Sequence, residues 1–237
     1  FYCRANKIIS VSNGVKHSLV RDFKVPLEKV TTIYNPGYDE NIIKNSKKND
    51  SDIFKFGKYI ISVGRLAKQK NYYNLLNAFK YIIQEGNEEN LNLVIVGEGP
   101  EKKNILNKIE SMGLTGRVIL VGFKQNPMPL IMNSCLFVLS SNNEGFGLVL
   151  IEALALKKQI VSTDCPSGPR EILMDGKFGQ LVPVNDSKKL AISIKKSIKG
   201  QINFNENSLL KRAKYFNLER FYKSFVLMIE NTWFSMN

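Results

Sequence analysis

The chain has 237 residues, of which 43% are hydrophobic and 23% charged, and these values are those of an ordinary globular protein. This composition excludes a disordered tail, a collagen-like chain and a disulfide-stapled mini-protein, and no apolar run reaches the roughly 18 residues that cross a bilayer. The net charge of +13 predicts a surface that attracts nucleic acid, anionic lipid or a phosphorylated substrate, although a lysine-rich genome composition explains it equally well.

The predicted elements begin with a strand at 7–11, a helix at 13–23 and a short strand at 30–34. The chain does not start with methionine, and its first strand looks as if it is entered from something upstream. We therefore expect the chain to be a fragment whose N-terminal portion was removed. Asn35-Pro36-Gly37 is a strong breaker, and the polar residues 45–52 predict a loop or linker.

From residue 58 onward, short apolar strands bounded by glycine alternate with helical segments. The predicted strands are 59–64, 91–96, 118–121, 136–140, 159–163 and 179–182. The predicted helices are 71–84, 101–112, 127–133, 146–156, 169–174, 186–199, 206–215 and 218–234. Such alternation is typical of parallel βαβ units, so we predict an α/β fold with a doubly wound, Rossmann-like parallel sheet.

Ligands of such sheets bind at the carboxyl ends of the strands, so the residues that follow each strand are the candidate site. Gly64, Arg65 and Lys70 follow the first strand of the sheet, and two cations at one strand end are suited to a diphosphate. Gly97-Glu98-Gly99-Pro100 follows the next strand and half-resembles a dinucleotide fingerprint. Because Lys102 stands where the third glycine belongs, we do not expect an NAD site.

The most informative segment follows the fourth strand of the sheet, where Glu144-Gly145-Phe146-Gly147 leads into a helix that contains Glu152. A glycine-rich entry to a helix N-terminus binds phosphate through its free amides. Glu152 stands among apolar residues, and a carboxylate there faces a desolvation cost unless it has a partner. The two hydroxyls of a ribose are one candidate partner, and a structural lysine or arginine is the alternative.

The sequence gives little support for a metal site or for a catalytic nucleophile. Cys3, Cys135 and Cys165 form no CxxC pair, which excludes a zinc ribbon or thioredoxin motif, and they predict buried thiols in a reducing cytosol. His17 is the only histidine, which excludes histidine-based metal sites and disfavours a Ser-His-Asp triad. Asp50-Ser51-Asp52 imitates a metal-binding DxD motif, but it lies in the polar linker and we reject it.

Taken together, these segments resemble the C-terminal half of a family 4 glycosyltransferase of the GT-B type. The resemblance spans nearly the whole chain, and the Glu-x7-Glu element is specific in the company of the others. One departure is that the usual Asn-Gly pair reads Asn35-Pro36-Gly37. The matching segments are Val11-Ser12, residues 30–35, Gly64-Arg65 with Lys70, residues 96–100, Val121-Gly122-Phe123, Glu144-Gly145-Phe146-Gly147 with Glu152, and residues 168–173.

The resemblance implies two facing Rossmann-like domains, of which the C-terminal one binds a nucleotide-sugar donor. Residues 1–35 are then a remnant of the acceptor domain and the crossing, 36–217 the donor-binding domain, and 218–237 a helix that crosses back. Arg65 and Lys70 would hold the diphosphate without any metal or other cofactor. The residues that would offer backbone amides to phosphate and sugar are Gly145, Phe146, Gly147 and Leu148.

The resemblance also assigns roles to the acidic residues and to the rim of the site. Glu144 would bind a hydroxyl of the donor sugar, and Glu152 would bind the ribose diol. The base would lie near Phe123 and Lys124. Gly64 and Gly97 complete the donor-binding set, and Arg65, Lys70 and Glu144 form the catalytic set.

We therefore expect a retaining glycosyltransferase that uses a UDP-sugar to build a cell-envelope glycan or a lipid-linked acceptor. The expected place is the cytoplasm, peripheral on the inner face of the plasma membrane, where an anionic surface would attract the basic chain. A GDP-mannose donor, a non-catalytic nucleotide-binding module and a nucleic-acid binder are the alternatives. The well-placed acids Glu144 and Glu152 argue against nucleic acid.

Overall fold

The computed structural model describes residues 4–48, 53–86 and 90–234, so Cys3 and the Asp50-Ser51-Asp52 motif lie outside the described residues. Near the start of the chain, strands β1 (Ile8–Ser10) and β2 (Val30–Thr32) pair in parallel. Helix α1 (Asn13–Phe23) connects them and begins at a Ser12 cap, whose side chain accepts a hydrogen bond from the amide of Val15.

The rest of the chain is built on a six-stranded, entirely parallel sheet. Its order is β5-β4-β3-β6-β7-β8, so the chain builds outward from β3 in one direction and then from β6 in the other. This order confirms the predicted doubly wound fold and places a crevice at the β3–β6 boundary, where the direction reverses. The strands are β3 (Lys58–Val63), β4 (Leu91–Val96), β5 (Val118–Gly122), β6 (Leu136–Leu139), β7 (Ile160–Thr163) and β8 (Gln180–Val182).

Helices cover both faces of this sheet because its strands are apolar on both sides. Ile60 and Ile61 of β3 are fully buried in opposite clusters, as the two-residue period of a strand requires. One face packs against α3 (Tyr72–Gln84), α4 (Lys102–Ser111) and α8 (Ser187–Ile198). The other packs against α2 (Asn41–Ser46), α5 (Met128–Asn133), α6 (Leu148–Ala155) and α9 (Glu206–Lys214).

The predicted elements differ from the observed ones at several boundaries, and two of these differences have a clear physical cause. The polar stretch 45–52 was predicted as a loop, but its first two residues are the last two of helix α2. Burial of Ile42 against the core stabilises this helix. Residues 49–52 lie outside the described part of the chain. Helix α6 begins at Leu148 rather than at residue 146, because Gly147 has a φ of +97°, which a right-handed helix does not allow.

The last helix of the chain lies beside the small sheet formed by its first two strands. A short helix α7 (Pro169–Ile172) follows β7, and the long helix α10 (Leu218–Phe234) follows α9. Residues of β2 and of α10 line a common cavity of about 400 Å³, so α10 lies beside the two-stranded sheet. The domain boundaries given above remain predictions. Within residues 4–48, 53–86 and 90–234, no helix combines the length and the hydropathy that a membrane span needs.

Candidate functional site

A cavity of about 830 Å³ opens at the crevice where the sheet order reverses. Its wall is formed by the residues that follow β3, β4, β5 and β6 and by the first turn of α6. All twelve residues that the sequence singled out line this one cavity, because the carboxyl ends of parallel strands meet at the same edge. They are Gly64, Arg65, Lys70, Gly97, Phe123, Lys124, Glu144, Gly145, Phe146, Gly147, Leu148 and Glu152.

The floor of the cavity is a close contact between the loops after β3 and β4. The amide of Gly64 donates to the carbonyl of Val96 over 2.9 Å, and the amide of Leu66 donates to the backbone carbonyl of Glu98 over 2.9 Å. Gly97 has a φ of +144°, and a Cβ built there would lie 2.0 Å from the carbonyl oxygen of Gly64. The glycine pattern that imitates a dinucleotide fingerprint is therefore required by loop packing, whatever the ligand.

We expect Gly97→Ala to lower the free energy of unfolding by about 3 kcal/mol, because a forbidden backbone angle and a steric clash coincide. Gly113→Ala is the matched control: its φ is +68°, and a Cβ there meets nothing within 4 Å. The control carries the backbone strain alone, which costs roughly 1–2 kcal/mol. Urea unfolding of both variants measures the difference, and equal losses would contradict the close-contact account.

Lys70 and Glu144 form a nearly buried ion pair inside the cavity. The Lys70 ammonium lies 2.6 Å from Oε1 of Glu144, and the two side chains are 17% and 7% exposed. The buried Ser141 hydroxyl also donates to Glu144 Oε1, over 2.6 Å. The lysine stem passes over Gly64, where a Cβ would lie 3.1 Å from its Cε. The pair joins the loop after β3 to the loop after β6, and the sequence did not predict it.

Arg65 is the second cation of the cavity and differs from Lys70 in its surroundings. Its side chain is exposed and forms no hydrogen bond or ion pair with any other described residue. Its guanidinium is thus available to a ligand without breaking a contact within the described chain. A planar guanidinium with five donors is suited to two phosphate oxygens at once.

The first turn of α6 faces the cavity with its amides uncapped by any side chain. Phe146 is buried just before the helix and stacks on the Tyr34 ring, with 5.4 Å between the ring centroids. The Ser12 hydroxyl donates to the carbonyl of Gly145 over 2.8 Å. These contacts hold an uncapped helix N-terminus, which favours an anion, against the cavity.

Glu152 lies one turn further along α6 and also lines the cavity. Burial raises the pKa of its carboxyl above the ordinary value. The carboxylate forms no hydrogen bond or ion pair with any described residue, so the structural lysine or arginine of the alternative interpretation is absent from that part of the chain. A partly buried carboxylate without a partner is costly unless a ligand supplies donors.

The part of the cavity wall that follows β5 carries an aromatic ring. The Phe123 side chain follows β5 and is 74% exposed, which is unusual for a phenylalanine. Lys124 lies beside it on the cavity wall. The exposed Glu98 carboxylate also faces this end and pairs with Lys102 over 2.7 Å. A flat apolar ring at a cavity mouth is suited to stack on a planar ligand group.

Sequence reasoning missed two residues from the first part of the chain. Val11 and Asn35 line the cavity although they follow β1 and β2 rather than strands of the large sheet. Val11 directly follows β1 and Asn35 comes three residues after the end of β2, and these positions close to a strand end were the available signal. The carboxylate of Glu171 accepts hydrogen bonds from the Asn13 and Gly14 amides, over 2.8 and 3.0 Å, and so holds the start of α1 against α7.

The loop after β7 does not reach this cavity. It lines a separate one of about 380 Å³ together with His17, whose side chain is exposed. Cys165 of this loop is buried, and burial raises its pKa to about 12. Cys135 is half-buried, and its thiol donates to the carbonyl of Tyr59 over 3.0 Å. Cys165 thus fits the prediction of a buried, inert thiol, whereas Cys135 is only half-buried.

Comparison with known proteins agrees with the resemblance seen in the sequence. Residues 43–215 match the family model described as glycosyl transferases group 1. The chain is 37% identical, over 194 residues, to N-acetylgalactosamine-N,N'-diacetylbacillosaminyl-diphospho-undecaprenol 4-alpha-N-acetylgalactosaminyltransferase of Campylobacter jejuni, a match that covers 82% of this chain and 51% of that protein. It is 27% identical, over 241 residues, to the capsular polysaccharide biosynthesis glycosyltransferase CapM of Staphylococcus aureus, covering 94% of this chain and 62% of CapM.

The fold is shared with solved glycosyltransferase structures. Anabaena Alr3699/HepE in complex with UDP and glucose matches with a TM-score of 0.81 and 22% identity, over 95% of this chain and 63% of that one. The chain spans only about half of the length of the C. jejuni relative. The family match covers all six strands of the large sheet. It shows that this chain belongs to the group 1 glycosyl transferases.

Proposed function

We propose that this chain is the donor-binding half of a retaining glycosyltransferase that moves a sugar from a UDP-sugar to a cell-envelope glycan or a lipid-linked acceptor. The observation that carries the proposal is the composition of the 830 Å³ cavity. It combines two strand-end cations, an uncapped helix N-terminus and an unpartnered carboxylate. A nucleoside diphosphate has two charged phosphates and a ribose diol, and these groups complement the three features.

In the proposed reaction, the bond between the anomeric carbon and the diphosphate breaks while the oxygen of an acceptor hydroxyl bonds to the same carbon on the same face, and the hydroxyl proton passes to the leaving diphosphate oxygen. Negative charge then accumulates on the leaving diphosphate. Arg65 and Lys70 stabilise that charge, together with the amides of Gly145 to Leu148 at the start of α6. Because fixed cations supply the positive charge, the proposal requires no metal ion.

The two glutamates have different roles in the proposal because their surroundings differ. Glu144 is held by Lys70 and Ser141, so its remaining oxygen accepts a hydrogen bond from a donor-sugar hydroxyl. Glu152 has no partner among the described residues and accepts both hydroxyls of the ribose. The base lies at the rim, against Phe123 and Lys124.

The names of similar proteins support the choice of donor and acceptor. The C. jejuni relative is named as an N-acetylgalactosaminyltransferase acting on an undecaprenol-linked diphospho-sugar, and CapM is named for capsular polysaccharide biosynthesis. Alr3699/HepE binds UDP and glucose. A UDP-sugar is therefore favoured over GDP-mannose. In the proposal the acceptor-binding domain lies outside this chain, which spans about half of the C. jejuni relative, so we expect no sugar transfer by residues 1–237 alone.

A calorimetric and thermal-shift screen with UDP, UDP-sugars, GDP and GDP-mannose tests the proposal. Saturating UDP at 100 times its Kd stabilises a protein by about 2.7 kcal/mol, which for a chain of this size raises Tm by roughly 5–10 °C. We expect the same rise in EDTA and in magnesium. A rise that disappears in EDTA would contradict metal-free binding. A rise with GDP-mannose and none with uridine nucleotides would favour the GDP-mannose alternative.

The proposal places the full-length protein in the cytoplasm, peripheral on the inner face of the plasma membrane. The support is the net charge of +13, because each basic residue near an anionic surface contributes about 1 kcal/mol. Nucleic acid is not a partner in this account. Flotation with anionic and with neutral vesicles tests the membrane partner: equal binding to both would contradict attraction by charge.

A further inference from the structure

The loop that carries Lys70 is tied to the loop after β6 by more than the Lys70–Glu144 ion pair. The Ser140 hydroxyl donates to the carbonyl of Lys70 over 2.8 Å. The amide of Asn142 donates to the carbonyl of Gln69 over 2.8 Å, and the Gln69 side chain donates to the carbonyl of Asn143 over 2.8 Å. The backbone on either side of the ion pair is therefore held from both loops.

Asn71 is the residue directly after Lys70, and its side chain connects the segments that follow β3, β6 and β8. Its Oδ1 accepts from the amide of Asn74 over 3.2 Å and caps α3. Its Nδ2 donates to Oδ1 of Asn142 and to Oδ1 of Asn185, both over 2.7 Å. All three hydrogen-bonding contacts are made at once, and they reach the segments that follow β6 and β8.

The backbone of Asn71 is also unusual, with a φ of +45° and a ψ of +50°. Asparagine adopts this left-handed conformation more readily than other side chains except glycine. The conformation ends the 3₁₀ turn Lys68–Lys70 and starts α3, so it sets the angle between the turn that carries Lys70 and the helix. Because the backbone is held on both sides of Lys70, the Lys70 side chain loses little freedom when it binds an anion.

We infer that Asn71 is a positioning residue for Lys70, and that its contacts to Asn142 and Asn185 hold the Lys70 ammonium where a donor diphosphate binds. This inference rests on the proposed function. A residue that only capped α3 would change stability and leave ligand preference alone. A residue that positions Lys70 would change the affinity for phosphate-bearing ligands and leave the nucleoside part unaffected.

The test is Asn71→Gly, measured by calorimetry with UDP and with uridine. Glycine adopts the left-handed conformation freely and is a tolerated helix cap, so the variant keeps the backbone and loses the side-chain contacts. We expect the Kd for UDP to rise about fivefold, since a loosened support weakens a charged contact, while the Kd for uridine stays the same. Asn205→Gly removes the cap of α9, away from the cavity, and serves as the matched control.

A second variant keeps Asn71 and its cap but removes both acceptors: Asn142→Ala combined with Asn185→Ala. It should show the same selective loss for UDP, and it decides the matter if Asn71→Gly does not fold. An unchanged ratio of UDP to uridine affinity in these variants would overturn the positioning role while the wild-type chain still binds UDP. A wild-type chain that binds no UDP would instead overturn the proposed function and this inference with it.

Discussion

Glu152→Gln is expected to weaken UDP binding about tenfold or more, since 1.4 kcal/mol corresponds to a factor of ten and a hydrogen bond to a charged group contributes about 1.5–3 kcal/mol. Glutamine keeps the size of the side chain and one acceptor oxygen but loses the charge. The wild-type carboxylate has no partner among the described residues, so a bound ribose is the source of its donors. Titration calorimetry with UDP measures the change.

The same variant should raise Tm at neutral pH in the absence of ligand. Burial raises the pKa of Glu152 in the folded chain above its unfolded value. The ionised carboxylate therefore destabilises the folded state at neutral pH. The effect disappears below the unfolded pKa of about 4.3, where both states are protonated. Thermal unfolding at pH 7 and at pH 4 follows the difference between the two chains.

These two measurements distinguish a ribose partner of Glu152 from a structural lysine or arginine partner. Loss of an ion pair with a lysine or arginine would lower Tm and leave UDP affinity unchanged in the folded chain, and that result would remove Glu152 from the site. Glu110→Gln, an exposed glutamate of α4, is the control and should change neither quantity.

Lys70→Met is expected to reduce both UDP affinity and stability. Affinity should fall by about 10- to 100-fold, because a charge-assisted contact to phosphate is worth roughly 1.5–3 kcal/mol. Stability should fall by about 3 kcal/mol, because the variant leaves the nearly buried Glu144 carboxylate without its cation. Calorimetry and urea unfolding on the same preparation give the two values.

The double variant Lys70→Met with Glu144→Gln separates the two effects. Removing the charge of Glu144 removes the unpaired carboxylate, so most of the lost stability should return while UDP affinity stays low. A double variant that regains UDP affinity would show that Lys70 acts on the fold and has no contact with the ligand.

Much of this architecture could be predicted from the sequence because the strands are apolar on both faces. Residues 59–63 are apolar except for Ser62, and such a run is typical of a central parallel strand. Once the strands were placed, the candidate site followed from their ends. Arg65, Glu144 and Glu152 are far apart in the chain but line one cavity, because parallel strands share one carboxyl edge.

The features that the sequence did not reveal depend on contacts between distant segments. The pairing of Lys70 with Glu144 requires the β3–β6 adjacency, which appears only when the sheet order is known. The sequence around Gly97 resembled a ligand-binding loop. Glycine is required there because a Cβ would collide with a carbonyl of the neighbouring loop. The contacts of Asn71 to Asn142 and Asn185 also join segments that are far apart in the chain, so they were not visible in the sequence.

Hydrogen–deuterium exchange with and without UDP tests most directly the central claim that the cavity at the β3–β6 boundary binds a nucleoside diphosphate. The amides at the start of α6 have no side-chain cap, so they should exchange quickly in the free chain. We predict that UDP slows exchange in peptides that cover residues 64–70 and 145–149 and leaves helix α10 unchanged. Protection confined to residues 164–171 of the second cavity, or no protection at residues 145–149 under saturating UDP, would contradict the account.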